Sequence, residues 1–171
     1  MKSEGVDMAN KEVILAEIET LRPQLHQMID ERLDAMKNAI LSGESVSSVE
    51  RTYPLNFSPH IFKGEKPVAV LFGEERVERN SWIKVYTEIL HRCKDEKYDI
   101  LMELRGKISG RDRLILSKES TGMKRPVKLA EGLFAESFYD TDTLIYVLTK
   151  RILDPVGFDY REISVVLKPN P

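Results

Sequence analysis

From Lys11 to Leu41 apolar residues recur three and four apart, at Ile14, Ile18, Leu21, Leu25, Met28 or Ile29, Leu33, Met36 and Ile40. That spacing puts them on one face of an amphipathic helix. Pro23 falls inside the pattern; because proline removes one helical donor and crowds the preceding turn, a kink or a restart is predicted near Thr20 to Pro23. The step from Leu25 through Ile29 to Leu33 departs from a strict heptad, so the pattern describes a sticky helix face and not a long regular coiled coil. Ile14, Ile18, Leu21 and Leu25 are the candidate association residues. Their partner is a second chain, another protein, or the remainder of this chain.

The pattern then lapses. Ser42 to Ser48 reads as a linker by its Gly and Ser content, and Arg51 to Lys66 holds two prolines among isolated apolar residues, so 1–45 is assigned as a helical association segment and 46–65 as a linker or strap. A compact unit is predicted over 66–168. Pro67 to Phe72 and Arg76 to Arg79 read as a hairpin around Gly73 to Glu75. Ser81 then caps a helix in which Trp82, Val85, Tyr86, Ile89, Leu90 and Cys93 share one face. A second helix is predicted from Glu96 to Leu104, with Tyr98, Leu101 and Met102 inward and Gly106 ending it. Short strands at Leu114 to Leu116, Val127 to Leu129 and Leu133 to Tyr139 follow, then a helix capped by Asp140 or Thr141 and stopped by Asp154-Pro155 and Gly157, then an alternating strand over Glu162 to Lys168. The fold class is α+β, a small antiparallel sheet packed with about three helices.

Composition narrows the function classes. With 171 residues, 42% of them hydrophobic, the chain can bury a real core, and 26 bases against 28 acids argue against a globally basic nucleic-acid binder. The opening Met1 to Asn10 has no apolar core of a signal peptide, and no run approaches the roughly 18 apolar residues of a membrane span, so a cytoplasmic protein with no membrane role is expected. One cysteine, Cys93, rules out an intrachain disulfide.

Charge is nevertheless uneven. The first fifty residues carry ten acids and five bases, whereas Arg105 to Lys128 holds eight Lys/Arg against only Asp112 and Glu119. Lys and Arg concentrated in a Gly/Ser-punctuated stretch suit a phosphate backbone, since binding there comes from counterion release and needs no particular fold. Arg111, Arg113, Lys118, Lys124, Arg125 and Lys128 are the candidate nucleic-acid contacts, with DNA or RNA as the partner. Lys124-Arg125-Pro126 leads directly into a strand, which gives those two charges a fixed direction. A solvated loop that offsets the acidic helix is the competing reading. Phe134, Phe138 and Tyr139 are read either as core or as platforms for unpaired bases.

The Lys66-Pro67 start, the hairpin, Ser81-Trp82 opening a helix, Arg125-Pro126, and Phe134, Glu136 and Ser137 ahead of Asp140-Thr-Asp142 resemble a widespread family of small, functionally unassigned bacterial and phage domains. The resemblance covers about 66–168 and implies a C-terminal module of an accessory protein. In that family's pattern the segment after the glutamate reads Thr-Asn-x-Ser-x-Asn, where this chain has Ser137-Phe138-Tyr139-Asp140-Thr141-Asp142.

Other chemistry lacks its residues. Neither phosphate-loop pattern is present, and His26, His60, His91 and Cys93 share no metal-ligand spacing. Cys93 continues an apolar face, so a structural role is expected. Asp99 and Glu103 lie four apart, which fits a solvated face as well as a metal, and Asp140 and Asp142 suit a helix N-terminus. The sequence therefore points to a non-enzymatic nucleic-acid-associated module without cofactor, metal or catalytic residues, with a protein-interaction adaptor acting through the N-terminal helix as the alternative.

Overall fold

The computed structural model describes 4–42, 50–107 and 114–168, with side chains of the first helix at 14–38 and 40–42. The chain divides at 49/50 into two units. In the first, α1 (Glu4–Ser42) is one helix that runs through Pro23 without the predicted restart. Proline removes a single backbone bond, and in an exposed helix water can satisfy the carbonyl left behind. The predicted association residues Ile14, Ile18, Leu21 and Leu25 are all exposed, as are Ile29, Leu33 and Ile40.

The second unit, Glu50–Lys168, contains β1 (Arg51–Pro54), a 3-10 turn (Pro59–Phe62), β2 (Pro67–Phe72), β3 (Glu75–Glu78), α2 (Trp82–Leu104), β4 (Leu116–Ser117), β5 (Pro126–Ala130), β6 (Leu133–Glu136), α3 (Thr141–Tyr146), a π-helical segment (Val147–Leu153), α4 (Asp154–Val156) and β7 (Ile163–Leu167). The α+β class holds. Its strands form two antiparallel sheets, β1-β7-β2-β3 and β4-β6-β5. Both pack on α2, whose Val85, Tyr86, Ile89, Leu90 and Cys93 are fully buried at the predicted spacing. Burial pushes the Cys93 thiol up to about 12, so it remains a protonated packing group.

Three departures from the sequence reading have physical causes. Residues 51–54, assigned to the strap, form the edge strand β1, and Leu55 and Phe62 enter the core, so the compact unit starts at Glu50 and not at Lys66. An edge strand tolerates Pro54, and Arg51 is held by paired bonds to Glu65. The two helices predicted over 82–104 are present, joined end to end at a break at Lys97 (φ −128°, ψ 31°), but the second does not present the expected face. That break rotates the C-terminal turns of α2, leaving Leu101 buried but Tyr98, expected inward, 40% exposed. The strand predicted to Tyr139 stops at Glu136, which puts Phe138 in a loop.

Trp82 anchors the core: its indole N–H donates to the Glu65 carbonyl at 2.8 Å, and its ring meets Phe62 edge-on with centroids 5.2 Å apart. Asp140 caps α3 through the Thr143 N–H and hydroxyl. Among the described residues no helix is long and apolar enough to cross a membrane.

Candidate nucleic-acid interface

The site is built on the last residue of β6. Successive strand residues face opposite sides, so while Leu133 and Ala135 point into the core, Phe134 and Glu136 point outward. Glu136 is nonetheless fully buried, because the chain before β5 folds over it. Its Oε2 accepts the Lys124 N–H at 2.7 Å, and its Oε1 accepts the N–H groups of Arg125, Ser137 and Phe138 at 2.9, 3.0 and 2.9 Å. Converging backbone N–H groups of this kind form an anion-binding concavity, here filled by the chain's own carboxylate. Burial works against the charge, but the donors of Lys124, Phe138, Arg125 and Ser137 outweigh it, so the Glu136 pKa lies below the ordinary glutamate value.

The surrounding backbone is fixed as well. The Ser137 N–H and hydroxyl both donate to the Arg125 carbonyl, at 3.0 and 2.8 Å, and the buried Tyr86 hydroxyl donates to the Glu136 carbonyl at 3.0 Å. Lys124 and Arg125 therefore leave from a pinned main chain. Both side chains are exposed and converge on one ring: the Lys124 Nζ lies 5.1 Å and the Arg125 guanidinium carbon 5.6 Å from the centroid of Phe138, which is itself 45% exposed. Two cations and a half-exposed aromatic ring thus form one patch.

The other predicted contacts are placed differently. Lys128 is exposed on β5, opposite Phe134, but its Nζ is paired with Glu131 at 2.7 Å. Lys118 is exposed beside the β5-β6 turn, its Cγ 3.9 Å from where a Cβ on Gly132 would stand. Arg105, the first base of the stretch, is structural: it donates to the Met102 and Gly132 carbonyls and ties the end of α2 to that turn. Arg111 and Arg113 lie outside the described residues. Of the six, then, the fold gathers Lys124 and Arg125, with Lys118 and Lys128 on the same small sheet region.

Phe138 was one of the two-way aromatics, and its exposure separates it from Tyr139, which packs against the core. Glu136 as the organiser of the loop was missed. Its signal was present, a lone acid followed by serine inside the aromatic run Leu133 to Tyr139, but two of its four donors lie eleven and twelve positions upstream. Asp99 and Glu103 are exposed, and no group of three His, Cys, Asp or Glu is placed to hold a metal among the described residues. No family model, curated protein or solved structure matches the chain.

Proposed function

We propose that the unit Glu50–Lys168 is a nucleic-acid recognition module that binds unpaired DNA or RNA, without catalysis, through Lys124, Arg125 and Phe138, with Lys118 and Lys128 extending the basic surface. The observation that carries this reading is the pair of cations converging on the exposed Phe138 ring above the Glu136 lock. An aromatic face stacks on any base, flanking cations meet the phosphates on either side, and a pinned main chain holds both in register. The same arrangement suits single strands better than duplex, whose bases are already stacked.

The test is fluorescence anisotropy of labelled single-stranded and duplex oligonucleotides across a salt series, with wild type and Lys124→Glu/Arg125→Glu. Expected is salt-sensitive binding that favours the single strand, and in the variant a logarithmic salt slope shallower by about 1.4, at about 0.7 for each of the two phosphates no longer neutralised. Absence of binding at low salt, or affinity indifferent to salt, overturns the reading.

A second reading rests on the exposed Ile14, Ile18, Leu21 and Leu25 of α1, a surface suited to docking another protein. In that case the basic patch is incidental, and Lys124→Glu/Arg125→Glu leaves partner capture intact while Leu21→Asp/Leu25→Asp abolishes it.

A further inference from the structure

The apolar residues of α1 have an order that neither function requires. Ile14, Leu25 and Met36 are eleven apart, and so are Ile18, Ile29 and Ile40. Eleven residues over three turns is 3.67 per turn, close to the natural helix, so this stripe runs nearly straight along one face where a heptad seam would drift. The stripe is also the same read in either direction. About Gln27, Leu25 mirrors Ile29, Leu21 mirrors Leu33, Ile18 mirrors Met36, and Ile14 mirrors Ile40. Only an antiparallel pairing of identical helices makes use of that symmetry, because a two-fold axis at the level of position 27 then sets each of these eight stripe residues level with another of them, while Leu15 and Met28 stand level with Ala39 and His26.

We infer that α1 is a homodimerisation helix that pairs antiparallel with α1 of a second copy, about a two-fold axis at Gln27. Charge supports the orientation. A parallel, in-register pair stands the acidic group Asp30, Glu31 and Asp34 level with its own copy. The antiparallel pair sets these three acids level with the uncharged Gln24, Pro23 and Thr20, and Arg32 level with Arg22. One flank of the stripe carries Glu19, Arg22, Asp30 and Lys37. Reversal brings Arg22 within two residues, about 3 Å along the axis, of the partner's Asp30, and Glu19 within the same distance of the partner's Lys37.

The area suffices. Seven of the eight stripe residues are exposed in the single chain, Met36 being half-buried. Withdrawing roughly 70 Å² of apolar surface per side chain removes on the order of 1,100 Å² from a pair of helices. That clears the roughly 1,000 Å² expected of a specific interface.

The test uses the full chain. Sedimentation velocity at micromolar concentration is expected to show a dimer, and Leu25→Asp/Ile29→Asp a monomer with Trp82 fluorescence unchanged, since Trp82 reports the other unit. Arg22→Asp should weaken the dimer several-fold, and Arg22→Asp/Asp30→Arg should restore it. Orientation is read by oxidising chains that carry Ile14→Cys or Ile40→Cys, with buried Cys93 a spectator. Disulfide-linked dimers are expected from the mixture and from neither variant alone. A monomeric wild type overturns the inference and leaves α1 to a different protein, and efficient linking of Ile14→Cys to itself overturns the antiparallel arrangement.

Discussion

Replacing Glu136 with glutamine keeps the side chain's shape and removes its charge. Three N–H groups, from Arg125, Ser137 and Phe138, meet Oε1, and one, from Lys124, meets Oε2. An amide can keep its oxygen on the side of the three donors, but it then turns an NH₂ toward the Lys124 N–H. Hydrogen bonds to a charged acceptor contribute roughly 1.5–3 kcal/mol and neutral ones about 1, so each retained bond weakens, while the fourth becomes a buried donor facing a donor at about 1–3 kcal/mol. Relief from burying a charge offsets part of the loss. The net expectation for Glu136→Gln is about 2–4 kcal/mol of destabilisation at neutral pH.

Urea unfolding followed by Trp82 fluorescence reads this as a lower midpoint with unchanged slope. The pH dependence carries a definite sign. Because the folded Glu136 pKa is lowered from the ordinary 4.5, its contribution is complete above about that pH and is lost as the pH falls through the folded value. The gap between wild type and Glu136→Gln should therefore be widest near neutrality and narrow in acid. A loss below about 1 kcal/mol, or a gap that does not change with pH, would refute the view that an ionised Glu136 holds the Lys124-Arg125 loop.

Two more substitutions probe the same region. Phe138→Ala should weaken single-strand binding by about 1–3 kcal/mol per stacked base without moving the urea midpoint, because the ring is 45% exposed; equal affinity of the two proteins in the anisotropy titration would remove Phe138 from the interface. Gly132→Ala should cost about 1–2 kcal/mol in the same unfolding assay, since Gly132 sits at φ +66° and an added Cβ would stand 3.3 Å from the Arg105 Nη1; a neutral substitution would show that the turn relaxes freely.

What the sequence determined by itself was local. Period and capping are encoded within a few residues, so the face of α2, the Ser81 and Asp140 caps, the β2-β3 hairpin and the stop at Gly157 were all legible. The exposed stripe of α1 was legible too, because spacing alone places residues on a helix face. Tertiary structure decided what depends on distant partners. Arg51–Pro54 became a strand only because β7, more than a hundred residues later, supplies its hydrogen bonds, and no local pattern announces that pairing. The strands divided into two sheets because β7 pairs with β2 while β5 pairs with β6. The candidate site follows the same rule. A run of bases was visible in the chain, but which of them share a surface was settled by a buried glutamate collecting N–H groups from two separated segments. A buried charge must find donors wherever the fold can bring them, and sequence order does not record where that is.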